Sequence, residues 1–224
     1  MRKTLLPLTV AMLVVAMCAT ALAATKNGTP RPDTIFGTSG ADTLNGLGGA
    51  DYLIGLGGAD KLNGNSGNDR LYGEACPVSG ADAVYCAPAG TAGADNLKGG
   101  SGDDRLFGNG ANDKADGGTG ADRLRGNSGK DRLKGRSGGD NLKGGTGKDN
   151  VNGGSGNDVL FGNDGDDKVI GGGGIDRIVG GGGKDTVYAR DTKRDVISCG
   201  PAKDKVFADQ QDKVAKDCNI VKRK

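Results

Sequence analysis

The chain has 224 residues, 45 of them glycine, with 34 % hydrophobic and 4 % aromatic residues and no tryptophan. An ordinary globular domain carries about 45–50 % apolar residues and about 7 % glycine, so a conventional two-layer core is excluded. Thirty basic residues against 28 acidic ones leave a formal charge of +2, no global field for nucleic-acid binding, and the absence of histidine removes Ser-His-Asp and Cys-His catalysis and His-ligated zinc.

The N-terminus has the pattern of a secretory leader over residues 1–23. Arg2 and Lys3 precede an apolar run from Leu5 to Met17, and Ala21-Leu22-Ala23 offers a small-x-small cleavage site. The run is too short for a membrane span, and no later segment could serve as one. Cys18 leaves a lipoprotein leader as the alternative, although Met17 stands where such leaders have a small residue. Removal of the leader takes Arg2 and Lys3 with it and balances bases and acids at 28 each. It also leaves Cys76, Cys86, Cys199 and Cys218, an even number on an exported chain, with local pairing (Cys76–Cys86, Cys199–Cys218) the preferred connectivity.

Residues 24–36 are expected to be a linker. From Gly37 a nine-residue repeat takes over: GTSGADTLN, GLGGADYLI, GLGGADKLN and GNSGNDRLY form a first block, 37–72, and eleven more units form a second, 90–188. Across these fifteen units the first residue is always Gly and the sixth always Asp; the fourth is Gly in fourteen (Ala111 excepted) and the eighth Leu, Ile or Val in fourteen (Ala115 excepted). Glycine at the first and fourth places is expected to supply backbone angles closed to other residues. Asn65, Asn109, Asn127 and Asn163 at the second place tolerate left-handed geometry. The last three residues of a unit, such as Arg105-Leu106-Phe107, alternate outward, inward, outward, as a short strand with one buried aliphatic does. Two units would make one 18-residue coil, with aliphatics meeting between two parallel sheets. The unit holding Ala111 and Ala115 is expected to bind or pack worst.

Between the blocks, over 73–89, the Asp69-to-Asp95 spacing is 26 instead of 18. A degenerate unit, Pro77–Tyr85 with Asp82, sits there, and each flank is four residues too long and carries one cysteine, as a disulfide-closed bulge in an interrupted register would. After Tyr188 the glycines vanish over 189–224, but Asp195-Val196-Ile197, Asp204-Lys205-Val206 and Asp212-Lys213-Val214 keep the rhythm. These read as capping strands without ion-binding turns.

The repeat closely resembles the RTX family, the hemolysin-type calcium-binding repeat, over Gly37 to Tyr188. The ending resembles that of secreted actinobacterial calcium-binding repeat proteins. The resemblance implies an all-β fold, a parallel β-roll (β-solenoid) of nonapeptide repeats with a disulfide-stapled C-terminal cap. It also implies Ca²⁺ held at the turns by carbonyls and sixth-position carboxylates: one row of Asp95, Asp113, Asp131, Asp149, Asp167 and Asp185, another of Asp104, Asp122, Asp140, Asp158 and Asp176, and in the first block Asp42 with Asp60 and Asp51 with Asp69. One ion per stacked pair within each block gives up to about 11 ions. The chemistry agrees, because an all-oxygen set of carboxylates and carbonyls selects a hard, irregularly coordinated cation. One buried aliphatic per nine ordered residues is a small return against chain entropy, so the repeats are expected to fold on binding Ca²⁺.

The function these readings support is an extracellular, monomeric, non-catalytic calcium-binding β-roll with a structural or interaction role. Outward Lys61, Arg70, Arg105, Lys114, Arg123, Arg132, Lys168 and Arg177 open an alternative, a calcium-dependent surface adhesin for acidic polysaccharide or anionic lipid. An accessory part of a toxin or secreted enzyme is the third class. Neither nucleic acid nor a membrane span is expected.

Overall fold

The computed structural model describes residues 23–74 and 92–223, which form two parallel sheets of 11 and 10 strands and contain no helix. The first sheet is built, in order, from Thr25–Asn27, Thr43–Gly48, Lys61–Ser66, Asn96–Ser101, Lys114–Thr119, Arg132–Ser137, Asn150–Ser155, Lys168–Gly173, Thr186–Ala189, Lys205–Ala208 and Ile220–Arg223. The second holds Thr34–Thr38, Tyr52–Leu56, Arg70–Glu74, Arg105–Asn109, Arg123–Ser128, Asn141–Thr146, Val159–Asp164, Arg177–Gly182, Val196–Ser198 and Lys213–Val214. Consecutive strands alternate between sheets, so every second strand pairs, and the chain winds as a β-solenoid. The leader lies outside the described residues, apart from Ala23.

The core is a double column of single side chains. Leu44, Leu62, Leu97, Ala115, Leu133, Val151, Val169, Val187 and Val206 face Ile35, Leu53, Leu71, Leu106, Leu124, Leu142, Leu160, Ile178 and Ile197, all buried. The strands also bury their first-position glycine, as the pattern over Thr43–Gly48 shows for Leu44 and Gly46. Outward positions carry the charged and aromatic residues.

Three sequence expectations change. The stretch 24–36, expected as a linker, supplies strand Thr25–Asn27 and most of Thr34–Thr38; Gly28, Asp33 and Ile35 stand at the first, sixth and eighth places of a further unit. The two blocks are not separate stacks. Lys61 pairs with Asn96 and Arg70 with Arg105, so 35 residues replace the usual 18 while the ladder stays unbroken. The expected interruption of register is therefore absent among the described residues, and the Pro77–Tyr85 unit and the Cys76–Cys86 pair lie outside them.

The third change concerns glycine. Positive φ falls at the second and fourth places: Leu47, Leu56, Asn65 and Arg136 hold φ of 80, 85, 76 and 86°, and Gly129 and Gly138 of 135 and 130°. Among the described residues no first-position glycine has a positive φ. That glycine is needed for space, since a methyl at Gly126 would overlap both Oδ2 of Asp131 and the carbonyl oxygen of Gly144 in the next coil.

The cap continues both sheets. Val196 pairs with Arg177, Lys205 with Thr186 and Ile220 with Lys205. Cys199 and Cys218 form a disulfide with Cα atoms 5.1 Å apart, joining neighbouring coils. The unit with Ala111 and Ala115 keeps its place in the stack: Ala115 is 2 % exposed, and Ala111 takes the fourth-position conformation at φ 67°.

Candidate metal centre

The sheet alternation sorts the sixth-position aspartates onto two edges. Asp42, Asp60, Asp95, Asp113, Asp131, Asp149, Asp167 and Asp185 precede strands of the first sheet and line one edge; Asp51, Asp69, Asp104, Asp122, Asp140, Asp158 and Asp176 precede strands of the second and line the other. All fifteen are 1–2 % exposed.

Within each row the aspartates form a relay. The backbone N–H of Asp42 donates to Oδ1 of Asp60 at 2.8 Å, Asp60 to Asp95 at 2.8 Å, Asp95 to Asp113 at 2.8 Å, and so on to Asp167 and Asp185 at 2.9 Å. The opposite edge repeats this from Asp51 to Asp69 at 2.7 Å through Asp158 to Asp176 at 2.9 Å. Both rows cross the inserted segment without a break, through Asp60–Asp95 and Asp69–Asp104.

The relay satisfies only half of each carboxylate. Oδ2 is buried with no hydrogen-bond partner in Asp51, Asp60, Asp69, Asp95, Asp104, Asp113, Asp122, Asp131, Asp140, Asp149, Asp158, Asp167, Asp176 and Asp185. An ionised carboxylate in that position is costly unless a countercharge or donor meets it. Among the described residues the one ion pair, Arg136–Asp116, lies on the surface away from both rows. Burial accordingly drives the carboxyls upward: Asp95 to about 8, Asp60, Asp113 and Asp158 to about 7, and Asp122 and Asp131 to about 6, with neighbouring carboxylates adding to the shift. The N–H bond from the preceding aspartate opposes it without cancelling it.

Asp42 differs from the other fourteen. Its Oδ2 accepts from the backbone N–H of Thr38 at 2.5 Å and from Thr38 Oγ1 at 3.0 Å, so its own turn closes it. Asp33 is closed the same way by the N–H of Thr29 at 2.5 Å and Thr29 Oγ1 at 2.9 Å.

The open Oδ2 atoms fit a hard cation. They lie near backbone carbonyls of the next coil, as Oδ2 of Asp140 and the Gly153 carbonyl oxygen both crowd the space beside Gly135. Among the described residues no three Asp, Glu, His or Cys side chains converge as a metal cluster. A cation in the row would take one carboxylate per turn and draw its other ligands from carbonyls, an oxygen donor set suited to Ca²⁺. A groove of about 560 Å³ follows the row from Asp95 to Asp149, with Asn112, Lys130 and Lys148 also in its lining.

The sequence reading missed Asp33, and it treated Asp195 and Asp204 as strand markers only. Asp195 and Asp204 are 0 % exposed, accept from the N–H groups of Asp176 and Asp185 at 2.8 and 2.9 Å, and leave Oδ2 without a partner. The missed signals were the nine-residue frames GTPRPDTIF at Gly28 and CGPAKDKVF at Cys199, which keep Asp and the aliphatic in place while losing glycines.

A model of the RTX calcium-binding nonapeptide repeat (4 copies) matches residues 27–62, 54–76, 89–124, 125–160 and 161–191. A comparison with curated proteins finds no match.

Proposed function

The chain belongs to the RTX calcium-binding nonapeptide repeat family, and on that premise we propose that it is an extracellular, non-catalytic β-roll that folds on binding many Ca²⁺ ions. The observation that carries this reading is the pair of buried rows in which each interior aspartate has one oxygen satisfied and one open. Bound Ca²⁺ would supply the missing countercharge and tie together turns that the chain separates by 18 residues. Asp51, Asp60, Asp69 and the later repeat aspartates would hold it through Oδ2, with turn carbonyls completing the set. Without it, two lines of buried negative charge oppose a fold whose core offers one aliphatic side chain per strand.

The Cys199–Cys218 disulfide supports an oxidising, extracellular setting. The absence of histidine, which removes the commonest acid–base catalyst, supports the non-catalytic reading. The continuous rows also raise the number of stacked pairs above the 11 that separate blocks would allow, because Asp60–Asp95 and Asp69–Asp104 now count.

The test is a calcium titration of the metal-free protein, followed by calorimetry and circular dichroism. β-Structure should appear together with the uptake of more than ten ions per chain, roughly one for each open carboxylate. Full β-structure in excess chelator at neutral pH, or near-zero stoichiometry, overturns the reading.

One observation favours an adhesive role through the second sheet. Arg70, Arg105 and Arg123 stand in register on successive strands, and beside them run Tyr72, Phe107, Arg125 and Lys143. Tyr72 and Phe107 stack at 4.8 Å, and Arg125 lies 5.8 Å over Phe107. Among the described residues, Glu74 is the one acid at the outward places of the strands that carry these arginines, and it accepts from the backbone N–H of Gly110 at 2.9 Å rather than pairing with an arginine. Guanidinium groups spaced along a flat sheet beside stacked rings suit an acidic polysaccharide, pairing with its carboxylates or sulfates and stacking on its rings. Retention on a polyuronate or heparin matrix in calcium, lost in R105A/R123A, supports this; elution at low salt dismisses it, and binding to anionic vesicles alone would assign the face to lipid.

A further inference from the structure

We infer that the calcium rows run past the repeats into the C-terminal cap, with Asp195 and Asp204 as their last carboxylate ligands, and that Asp33, Asp42 and Asp212 are built-in stops. The inference rests on the calcium reading above and concerns residues beyond the matched repeats, which end at residue 191.

Asp195 and Asp204 reproduce every feature of the interior repeat aspartates. Each is 0 % exposed, each accepts at Oδ1 from the aspartate one coil earlier, and each leaves Oδ2 buried without a partner. This holds although the chain leading to each has changed: the spacing from the aspartate one coil earlier is 19 residues instead of 18, and buried Ala189 and Cys199 take the places that glycine holds in the repeats. The neighbouring cations do not neutralise them, because Arg194 and Lys203 are exposed and make no ion pair among the described residues. A buried half-satisfied carboxylate kept through such changes in sequence needs a cation as much as those in the repeats.

The next coil closes both rows. On one edge the N–H of Asp195 donates to Oδ1 of Asp212 at 3.0 Å, and Oδ2 of Asp212 accepts from the N–H of Asp209 at 2.6 Å, so no oxygen stays open. On the other edge the residue that follows Asp204 in register is Asn219, since Ile220 pairs with Lys205, and it brings no charge. At the other end of the roll, Thr29 and Thr38 close Asp33 and Asp42. The disulfide belongs to the same device. Cys199 opens the turn of Asp204 and Cys218 precedes Asn219, so the bond staples the last ion-binding turn to the closing coil.

The experiment counts Ca²⁺ on the full chain by calorimetry and equilibrium dialysis. Asp195→Asn and Asp204→Asn keep the Oδ1 acceptor and remove the charge; each should lower the count by one ion, and the double variant by two. Asp212→Asn should leave the count unchanged. Variants that bind as many ions as the wild type overturn the cap sites while the calcium reading stands; a wild type that binds none sinks that reading itself. Should the variants fail to fold, terbium soaked into wild-type crystals decides. Anomalous peaks between the turns of Asp176 and Asp195 and of Asp185 and Asp204 support the inference, and peaks along the repeats that stop before these turns refute it.

Discussion

The backbone N–H of Asp131 donates to Oδ1 of Asp149, eighteen residues further on, at 2.8 Å, while Oδ2 of Asp149 stays buried with no partner. One carboxylate thus joins two coils by a bond the chain makes alone and keeps a second oxygen for something the chain lacks. Asp149→Asn separates the two roles. The variant should bind one Ca²⁺ fewer and melt lower in calcium, yet retain at least as much structure as the wild type in chelator, because a buried charge is gone. Calcium counts and melting curves in both buffers check this, and equal loss in both would show a purely structural role.

Acid should partly replace the metal. Burial raises the folded carboxyls to between about 6 and about 8 at Asp122, Asp104 and Asp95, against an ordinary value of 3.8. The fold therefore binds protons that the unfolded chain has already released. Metal-free stability is fully present below about pH 4, falls as pH rises, and is lost through the range 6 to 8. In calcium-free buffer the β-signal should persist to a higher temperature at pH 4.5 than at pH 7.5. The reverse order would mean that the carboxylates are already compensated.

Two glycines of similar appearance should behave differently. Gly126→Ala drives a methyl into Asp131 Oδ2 and the Gly144 carbonyl, and should cost about 1–3 kcal/mol or more. Gly173→Ala meets nothing within 4 Å and has no positive φ, so it should change stability by less than about 0.5 kcal/mol. Thermal melts in saturating calcium compare them.

Ala111 occupies the fourth place at φ 67°, where neighbouring coils have Gly129. Ala111→Gly relieves that backbone and should raise stability by up to about 1 kcal/mol, after allowing for glycine's greater unfolded entropy. A lower melting temperature would show that the alanine is unstrained.

Opening the disulfide should destabilise the C-terminal end first. A closed loop of this size contributes about 3 kcal/mol through the unfolded chain, and Cys199 and Cys218 join adjacent coils. In C199S/C218S, amide exchange should accelerate over 196–223 before it does over the repeats. Uniform acceleration would mean that the roll unfolds as one unit and the staple has no local effect.

Much of this molecule is written locally. A nine-residue frame with an aliphatic at the eighth place, as at Leu106, Leu124 and Leu142, specifies strand, turn and inward face, because alternation along a strand and the period of the turn act over only a few residues. The sixth-position aspartates, the sheet alternation and the oxygen character of the site follow from the same frame. Asp33 and Asp204 obey it too; with Arg31 and Ala202 in place of the fourth-position glycine, their membership is harder to read.

The remainder depended on contacts between residues 18 to 35 apart. Sequence alone could not tell whether Lys61 meets Asn96 directly, because an insertion can leave a ladder at its edge and rejoin it without adding a coil. It could not explain the first-position glycine, whose constraint is the carboxylate of its own turn and a carbonyl of the next coil. Nor could it separate Asp42 from Asp60, alike in sequence, one closed by Thr38 and the other open. A repeat states which carboxylates are equivalent; the stacking of the coils settles which of them still lack a partner.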